Sequence, residues 1–341
     1  MADKTEIAWC DSTFNPWIGC TKVGPGCDNC YAEREFDHRH HRAKWGPGQE
    51  RQRTSVKNWN LPLRWNAKPF YECPTCGNRS NANMASGLSV GGELMPVCPT
   101  CHNGPMKPAR RRVFCSSLAD VFDNEVPDEW RADLFALIEK TPNLDWLLLT
   151  KRIGNVGRMI PDRWSISLPP NVWIGATIVN QEEADRDIPK LLAVKAGVRF
   201  ISMEPLLGPV TLALHGHRVG VESSALRGVV DWVIVGGESG PKARPMHPDW
   251  VRSLRDQCAS AGVPFLFKQW GEFDLAYDRD RDDPDYRRCD RMDKLPGRWI
   301  NLAGGHGFNG ERVHYARRVG KKAAGRLLDG ALHNQFPEVQ R

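Results

Sequence analysis

The sequence predicts an α/β fold, a TIM-like barrel, partial or closed, with an inserted zinc ribbon. Three observations lead to this prediction. Short apolar runs recur along the chain, amphipathic segments follow most of them, and residues 71–107 interrupt the pattern with two Cys-x2-Cys pairs. Runs that are apolar throughout are typical of parallel strands covered on both faces. Strand followed by helix, repeated six or seven times, is the pattern of an α/β barrel.

The predicted strands and helices alternate along most of the chain. The strands are EIAWC (6–10), RRVFCSS (111–117), DWLLLTKR (145–152), NVWIGATIV (171–179), VRFISMEPLL (198–207), DWVIVGGESG (231–240) and VPFLFKQWGE (263–272). Three segments with apolar residues at helical spacing are predicted helices: 126–140, 180–195 and 247–262. A doubly wound open sheet is the alternative, because periodicity does not give the strand order.

These elements divide the chain into three regions. Residues 1–70 and 108–272 form the predicted barrel, 71–107 the zinc-ribbon insertion, and 273–341 a charged loop with a basic C-terminal extension. The segment 274–294 is dense in charge without apolar periodicity, which is typical of a surface loop. The basic run 312–326 is either a solvated helical face or a phosphate-contacting patch. Its cations are Arg312, Arg317, Arg318, Lys321, Lys322 and Arg326.

Composition limits the class of protein. The 341 residues are 40% hydrophobic and 26% charged, with a net charge of +6. No apolar run approaches bilayer-spanning length and the N-terminus has no apolar signal region, so we expect a cytoplasmic protein without a membrane role. Seven of the eleven cysteines fall in close clusters, which favours metal binding over disulfides. We expect the others, Cys10, Cys115, Cys258 and Cys289, to be thiols without a role.

The insertion contains CPTCGN and CPTCHN, which place Cys73, Cys76, Cys98 and Cys101 in two tight pairs separated by 21 residues. Four thiolates satisfy tetrahedral zinc, and the pattern resembles a zinc ribbon. A small insertion that cannot build its own core gains stability from such a metal. The alternative is a set of free thiols.

A second cysteine motif follows the first predicted strand. The stretch WIGCTKVGPGCDNCYAE contains Cys20, Cys27 and Cys30, with no fourth cysteine or histidine at ligand distance in sequence. Three cysteines can hold a 4Fe–4S cluster and leave one iron open to an added ligand. A zinc site completed by Cys10 or a distant histidine, and unligated thiols, are the alternatives. The histidines at 38, 40 and 41 are expected on a solvated helix face.

Polar residues gather where the predicted strands end. In α/β barrels the carboxyl ends of the strands build the active site. Each residue singly could instead be a helix cap or a loop contact. They are Ser116, Ser117, Asp120, Thr150, Lys151, Arg152, Thr177, Asn180, Glu204, Glu238, Ser239, Lys268, Gln269 and Glu272.

Several stretches resemble a bacteriophage and prophage family of unknown function with a three-cysteine motif, commonly grouped with radical S-adenosylmethionine (radical SAM) enzymes. They are FNPWIGCTKVGPGCDNCYAE, FCSSLADVFDNEVPDEW, WLLLTKR, VWIGATIVNQEEADRDIP, ISMEPLLG, WVIVGGESGPKARPMHPDWVRSLRDQC and PFLFKQWGE. The resemblance covers most of the chain outside the two interruptions. It implies an α/β barrel with a 4Fe–4S cluster on Cys20, Cys27 and Cys30, and S-adenosylmethionine chelated to the open iron.

The chain departs from the usual radical SAM pattern in two places. Its cysteine spacing is six then two residues instead of three then two, and Asn29 stands where an aromatic residue is expected. The Gly-Gly-Glu motif that meets the methionyl amine normally follows the second strand. Here Gly236, Gly237 and Glu238 follow the sixth predicted strand, so Ser117 or Asp120 is the alternative for that role.

The leading functional hypothesis is a radical SAM-like enzyme of unknown reaction that acts on a nucleotide or nucleic-acid-related substrate. Substrate or cofactor contacts are assigned to Glu204, Glu238, Lys268 and Gln269, and the ribose to Thr177 or Asn180. The resemblance also implies a three-Cys-motif partner protein. The rival hypothesis is a non-catalytic, zinc-stabilised module that binds nucleic acid or protein. Hydrolysis by strand-end acids is a weaker idea, because the sequence has no paired metal-binding carboxylate motif.

Overall fold

A parallel sheet forms the centre of the fold. The computed structural model describes residues 4–81, 87–90, 93–212, 229–279, 297–305 and 313–338. The seven strands of the sheet are β1 (Ser12–Thr13), β2 (Arg111–Cys115), β3 (Leu144–Thr150), β4 (Val172–Thr177), β5 (Val198–Met203), β6 (Trp232–Gly236) and β7 (Phe265–Gln269). All neighbouring pairs are parallel.

The strands lie side by side in the order in which they occur along the chain, from β1 to β7. A doubly wound sheet requires this order to reverse at a switch point. The doubly wound alternative is therefore wrong, and the sheet has the strand order of an α/β barrel.

Side chains from nearly every strand meet on the concave face of this sheet. One buried cluster contains the alternate residues Phe114, Leu147, Trp173, Phe200, Trp232, Ile234 and Leu266, together with Trp9 and Cys10 from the segment before β1. Residues from both ends of a flat sheet could not share one small cluster, so the sheet curves into a half-barrel. Gly175 leaves room for this packing, because a Cβ there would lie 2.3 Å from the Phe200 ring.

The end of the described chain covers the open edge of the half-barrel. Asn334 forms an antiparallel bridge with Leu266 of β7, and the amide of Phe267 donates to the carbonyl of His333 at 3.0 Å. The Phe336 ring lies 5.0 Å from the Trp232 ring, and the Arg112 guanidinium lies 3.9 Å from the Phe336 centroid. This tail therefore connects the last strands of the sheet to β2.

Three long helices cover the convex face: α1 (Asp128–Glu139), α2 (Gln181–Ala193) and α3 (Pro248–Ala261). Their buried faces pack in a second apolar cluster with the outward residues of the strands. Helix α2 begins after Asn180, whose side chain accepts from the Glu183 amide, and α3 ends at Gly262 in the left-handed region, φ +66°. All three helices lie within the segments predicted from the sequence.

The first strand differs from its prediction. Residues 6–10 are not a strand, and β1 begins at Ser12. Trp9 and Cys10 are apolar because they fill the concave cluster, not because they belong to the sheet. The other six strands overlap their predicted runs.

The region after β7 also differs. It forms an antiparallel sheet of β8 (Phe273–Arg279), β9 (Gly297–Asn301) and β10 (Val313–Arg318), with β10 in the middle. The prediction of a loop is therefore wrong for 274–279, and residues 280–296 lie outside the described residues. The basic run is also not one helical face: it contains β10 and the short helix Lys321–Ala324, and Arg312 is outside the described residues.

The remaining elements are short. Paired strands are Trp17–Ile18 with Gln52–Arg53, Tyr71–Glu72 with Arg79–Ser80 and Lys107–Pro108, and Gly87–Val90 with Glu93–Pro96. The helical turns are Pro25–Cys27, Tyr31–Glu33, the π-helical Arg34–Arg39, Val56–Trp59, Leu61–Asn66, Ile153–Asn155, Val156–Met159 and Asp162–Trp164. Among the described residues, no helix has the length and apolar character that crossing a bilayer requires.

Candidate metal centres at the two ends of the half-barrel

The three-cysteine motif lies at the carboxyl end of the strands, which we call the mouth. The motif starts beside β2, where the Gly19 amide donates to the Leu118 carbonyl at 3.2 Å and Gly19 forms a parallel bridge with Ala119. A glycine fits there because φ is +112°. We call residues 19–30 the cysteine loop.

From β2 the cysteine loop crosses to the ends of β3, β4 and β6. Gly26 packs against Val179 so closely that a Cβ would lie 2.8 Å from the valine methyl. The Pro25 carbonyl accepts from Arg244 Nη2 at 2.8 Å, and Asn29 Nδ2 donates to Glu238 Oε2 at 3.0 Å. The loop is therefore held over the mouth by contacts far from it in sequence.

Glu238 and Arg244 form the anchor on the β6 side. Arg244 Nη2 donates to Glu238 Oε1 at 2.7 Å, and its Nε and backbone amide donate to Oε2 at 2.9 and 2.8 Å. Arg244 Nη1 also reaches Asp28 of the loop at 3.0 Å. Glu238, predicted to contact substrate or cofactor, is thus a buried acceptor that fixes the cysteine loop in place.

A buried charge network supports Cys20 on the other side. Arg152 Nη1 lies 3.5 Å from Cys20 Sγ and 3.1 Å from Asp120 Oδ2, and its Nη2 donates to the Thr21 carbonyl at 2.7 Å. Burial, and next the Asp120 carboxylate, raise the pKa of the Cys20 thiol to about 12, and Arg152 opposes this shift. The guanidinium is the group that favours the thiolate here.

Arg51 and Asp123 extend this network. Arg51 Nε donates to Asp123 Oδ2 at 2.8 Å and Nη2 donates to Thr21 Oγ1 at 2.7 Å. The side chains of Arg51 and Asp123 are only 0% and 2% exposed, so each buried charge is stabilised by the opposite charge of its partner. The first residues of the cysteine loop therefore rest on two connected ion pairs.

The three thiols of the loop do not form the compact ligand set of a single ion. In the described part of the chain, Cys20, Cys27 and Cys30 are not among the ligand groups whose atoms all lie within 4.8 Å of one another. Their assignment to a cluster or to a metal ion stays a prediction.

Two predicted site residues meet inside the mouth. Glu204 and Lys268 form a close ion pair through Oε2 and Nζ, and Trp9 Nε1 donates to Glu204 Oε1 at 3.0 Å. Both continue the inward-facing alternation of their strands, after Phe200 in β5 and Leu266 in β7. Gly236 lies beside them, since a Cβ there would be 3.1 Å from Glu204 Oε2.

Other predicted residues take up separate positions around the mouth. Thr177 accepts from Lys151 Nζ at 3.4 Å, and the Ser117 carbonyl accepts from the Tyr31 hydroxyl at 2.6 Å. Gln269 donates to Ser239 Oγ at 3.0 Å. Asn180 caps α2. Asp120 is occupied by Thr150, Lys151 and Arg152.

Gly237 has a packing role. A Cβ on this residue would lie 2.0 Å from the Trp270 carbonyl oxygen, so only glycine allows the end of β6 to approach the segment after β7. The Gly-Gly-Glu sequence therefore brings together a close approach to Glu204, a close backbone contact and the loop anchor. Its assignment to the cofactor stays a prediction.

The second cysteine cluster is compact. Cys73, Cys76, Cys98 and Cys101 have sulfur atoms within 4.8 Å of one another, with Cys73 to Cys101 and Cys76 to Cys98 both at 3.6 Å. Hydrogen bonds from the backbone amides of Cys76 and Thr75 lower the pKa of Cys73. Burial opposes ionisation of Cys98, but the amides of Cys101 and Thr100 lower its pKa to about 6. Four convergent sulfurs could hold a metal ion.

This cluster lies at the amino end of the half-barrel, opposite the mouth. Arg79, next to the first cysteine pair, donates to both oxygens of Asp11 at 3.0 and 3.2 Å and to the Arg110 carbonyl at 2.6 Å. Asp11 and Arg110 directly precede β1 and β2. The insertion is therefore joined to the starts of these strands.

A third group was not predicted from the sequence. His247, Asp249 and His314 place their ligand atoms within 4.8 Å of one another, with both imidazoles buried. Asp249 Oδ2 lies 4.0 Å from His247 Nδ1 and 3.9 Å from His314 Nε2. His247 Nδ1 accepts from the Asp249 amide as the cap of α3, which engages the lone pair that a metal would use. The group connects α3 to β10.

Comparison with known proteins gives the relationship of the chain. A family model described as "Protein of unknown function (DUF5131)" matches residues 4–337. The chain belongs to this family. The match includes the half-barrel, the insertion and the antiparallel sheet, so the DUF5131 family model spans both cysteine clusters. No curated protein and no solved structure matches the chain.

Proposed function

We propose that this protein is an iron–sulfur enzyme of the radical SAM type that modifies a nucleotide or nucleic-acid-related substrate. In this proposal Cys20, Cys27 and Cys30 hold a 4Fe–4S cluster, and S-adenosylmethionine takes its open iron. The observation that carries the proposal is the placement of a three-thiol loop across the carboxyl end of a parallel half-barrel. That end is where α/β barrels hold their reactive groups.

The chemistry that such a cluster and S-adenosylmethionine supply is reductive formation of a 5′-deoxyadenosyl radical, which takes hydrogen from a substrate. The protein supplies position and exclusion of water. Arg152 donates toward Cys20, and Glu238 with Arg244 holds the other end of the loop. The concave cluster beneath the mouth consists of buried apolar side chains, and in our proposal the reactive space lies above Leu147, Trp173 and Phe200.

The Glu204–Lys268 pair is the polar feature of that space. Lys268 carries donors that suit a carboxylate or phosphate, and Glu204 accepts from Trp9. In our proposal the pair orients a polar group of the substrate or of S-adenosylmethionine. The roles of Thr177, Asn180, Ser117, Asp120, Gly236, Gly237 and Gln269 toward these ligands are part of the same proposal.

Anaerobic purification with iron and sulfide reconstitution tests the cluster. We expect a brown protein that absorbs near about 400 nm, with the colour lost in Cys27→Ala and kept in Cys73→Ala, because cluster iron needs thiolates of the cysteine loop. Addition of S-adenosylmethionine and dithionite should then release 5′-deoxyadenosine. A colourless wild-type protein after reconstitution would contradict the proposal.

A second candidate function rests on the compact four-thiol cluster. If that cluster holds zinc and the cysteine loop holds no iron, the protein is a metal-stabilised module that binds nucleic acid or another protein. Metal analysis separates the two candidates: iron and zinc together favour the enzyme, and zinc alone favours the module. A three-Cys-motif partner protein fits either candidate and stays a prediction.

A further inference from the structure

We propose that a cleft beside the cysteine loop binds phosphate groups of the substrate. The cleft lies between the end of β3 and helix α2, with a volume of about 300 Å³, and Val23 of the cysteine loop forms part of its wall. This volume is at the lower end of the range of small-molecule sites. The inference rests on the proposed function only for the identity of the substrate.

Four cations line this cleft, and one carboxylate accompanies them. Lys151 and Arg152 come from the end of β3, while Arg186 and Lys190 lie one helical turn apart on α2 with Asp187 beside them. Arg152 is already paired with Asp120 at 3.1 Å. The other three cations outnumber the single carboxylate of the wall, so the cleft carries a net positive charge. Such a cleft attracts anions and concentrates them near its walls.

The contacts within the cleft leave donors available. Asp187 accepts from Arg186 at 2.6 Å and from Lys190 at 2.9 Å, so one carboxylate serves two cations. Lys151 donates to the neutral Thr177 hydroxyl, and no ion pair of the described residues includes its ammonium. Because a guanidinium has five N–H donors and an ammonium three, these pairings do not exhaust the hydrogen-bonding capacity of the cleft.

Phosphate is the anion that this arrangement suits. A phosphate presents several oxygens, which arginine binds in a forked geometry and lysine binds as a point charge. Arg152 connects the cleft to Cys20 at 3.5 Å, so a phosphate bound here would lie next to the cysteine loop. A strand or nucleotide held by its phosphate would then have its sugar or base close to the mouth.

The test measures binding of a fluorescein-labelled ten-nucleotide thymidine strand by anisotropy at two salt concentrations. In Arg186→Gln/Lys190→Gln we expect affinity to fall about tenfold or more, and the slope of log affinity against log salt to decrease by about one per cation removed. The control is Lys195→Gln, an exposed lysine just beyond α2 and outside the cleft. It should bind within about twofold of the wild type.

A second variant guards against a folding defect, because the double variant removes both partners of Asp187. Asn124 lines the cleft, and its Oδ1 accepts from Asn155 and Arg158 at 3.1 and 2.8 Å. Asn124→Asp keeps the shape and both acceptor contacts but adds a negative charge to the wall, so it should also weaken binding.

Each outcome decides the inference. Equal binding by the wild type, the double variant and Asn124→Asp, or no binding by the wild type, would overturn it. ATP and unlabelled strand are then compared as competitors of the labelled strand. If ATP displaces the labelled strand at the same concentration as the unlabelled strand does, the cleft is assigned to free nucleotides. If ATP fails to displace it, the cleft is assigned to a strand. The assay needs no iron, so a missing 5′-deoxyadenosine signal leaves this result standing and defeats only the proposed function.

Discussion

The two cysteine clusters lie at opposite ends of the half-barrel and are built in different ways. The four thiols of the insertion come from two short Cys-x2-Cys segments, and their sulfur atoms converge within 4.8 Å of one another. The cysteine loop is held by residues far away in sequence: Arg152, Glu238 and Arg244. A closed ligand set needs little from the rest of the fold, whereas an open set needs a surrounding structure to hold its shape.

The largest expected effect separates the clusters directly. Cys98→Ser should remove about one equivalent of bound metal per chain, because a four-thiolate site loses a quarter of its ligands. The insertion has a very small apolar cluster of its own, centred on Cys73, Cys98 and Met106, so we also expect faster proteolysis there. Metal analysis by mass spectrometry measures the change.

Cys258→Ala is the matched control, since this buried cysteine lies in α3 away from both clusters. Its metal content should equal that of the wild type. The comparison between the clusters fails if Cys98→Ser also removes the iron that we propose for the cysteine loop.

The buried ion pair beneath the cysteine loop gives the next largest effect. Asp123→Ala leaves the Arg51 guanidinium buried without its partner and should cost about 3–5 kcal/mol of unfolding free energy. Asp133→Ala breaks the exposed pair with Arg53 and should cost about 0–1 kcal/mol. Urea denaturation of both variants checks the difference, and equal losses would show that the network does not support the loop.

The anchor at Glu238 should affect the loop more than the fold. Glu238→Ala removes the acceptor of Arg244 and Asn29, so local opening of the cysteine loop should become about tenfold easier, a change of about 1.4 kcal/mol. Trypsin cleavage after the exposed Lys22 measures this opening, and cleavage after Lys140 provides the internal reference. Unchanged cleavage at Lys22 would exclude the anchoring role.

The smallest effect distinguishes a helix cap from a ligand contact. Asn180→Ala should cost about 1 kcal/mol because α2 loses its cap, while Asn180→Ser should be close to the wild type in urea denaturation. If Asn180 also contacts S-adenosylmethionine, Asn180→Ser will fold normally but release less 5′-deoxyadenosine. Normal release from Asn180→Ser assigns the residue to the cap alone.

Local patterns predicted much of this fold. The apolar runs located six strands, helical spacing located α1 to α3, and the two Cys-x2-Cys pairs located the compact cluster, because each signal lies within a short segment. Composition misled at residues 6–10, where Trp9 and Cys10 are buried by the concave cluster without forming a strand. It also misled at 274–279, where dense charge hides β8, which pairs with a distant strand.

The candidate site was less predictable because its contacts join segments that are far apart in the sequence. The sequence placed Glu204 and Lys268 at strand ends, but their pairing joins β5 to β7 and has no local signal. Arg244 lies six residues after Glu238 in a loop without periodicity, so its part in holding the cysteine loop was missed. Contacts between distant segments depend on strand order, which periodicity does not contain.

The tail that covers β7 has a consequence for how the molecule assembles. Phe336 meets Arg112 and Trp232, partners that precede it by roughly one hundred to more than two hundred positions. Closing so long a segment of chain is slow compared with forming local helices. The tail should therefore dock late in folding, after the strands of the half-barrel have paired. A nascent chain in which this tail has not yet been synthesised exposes the aromatic side chains of the concave cluster.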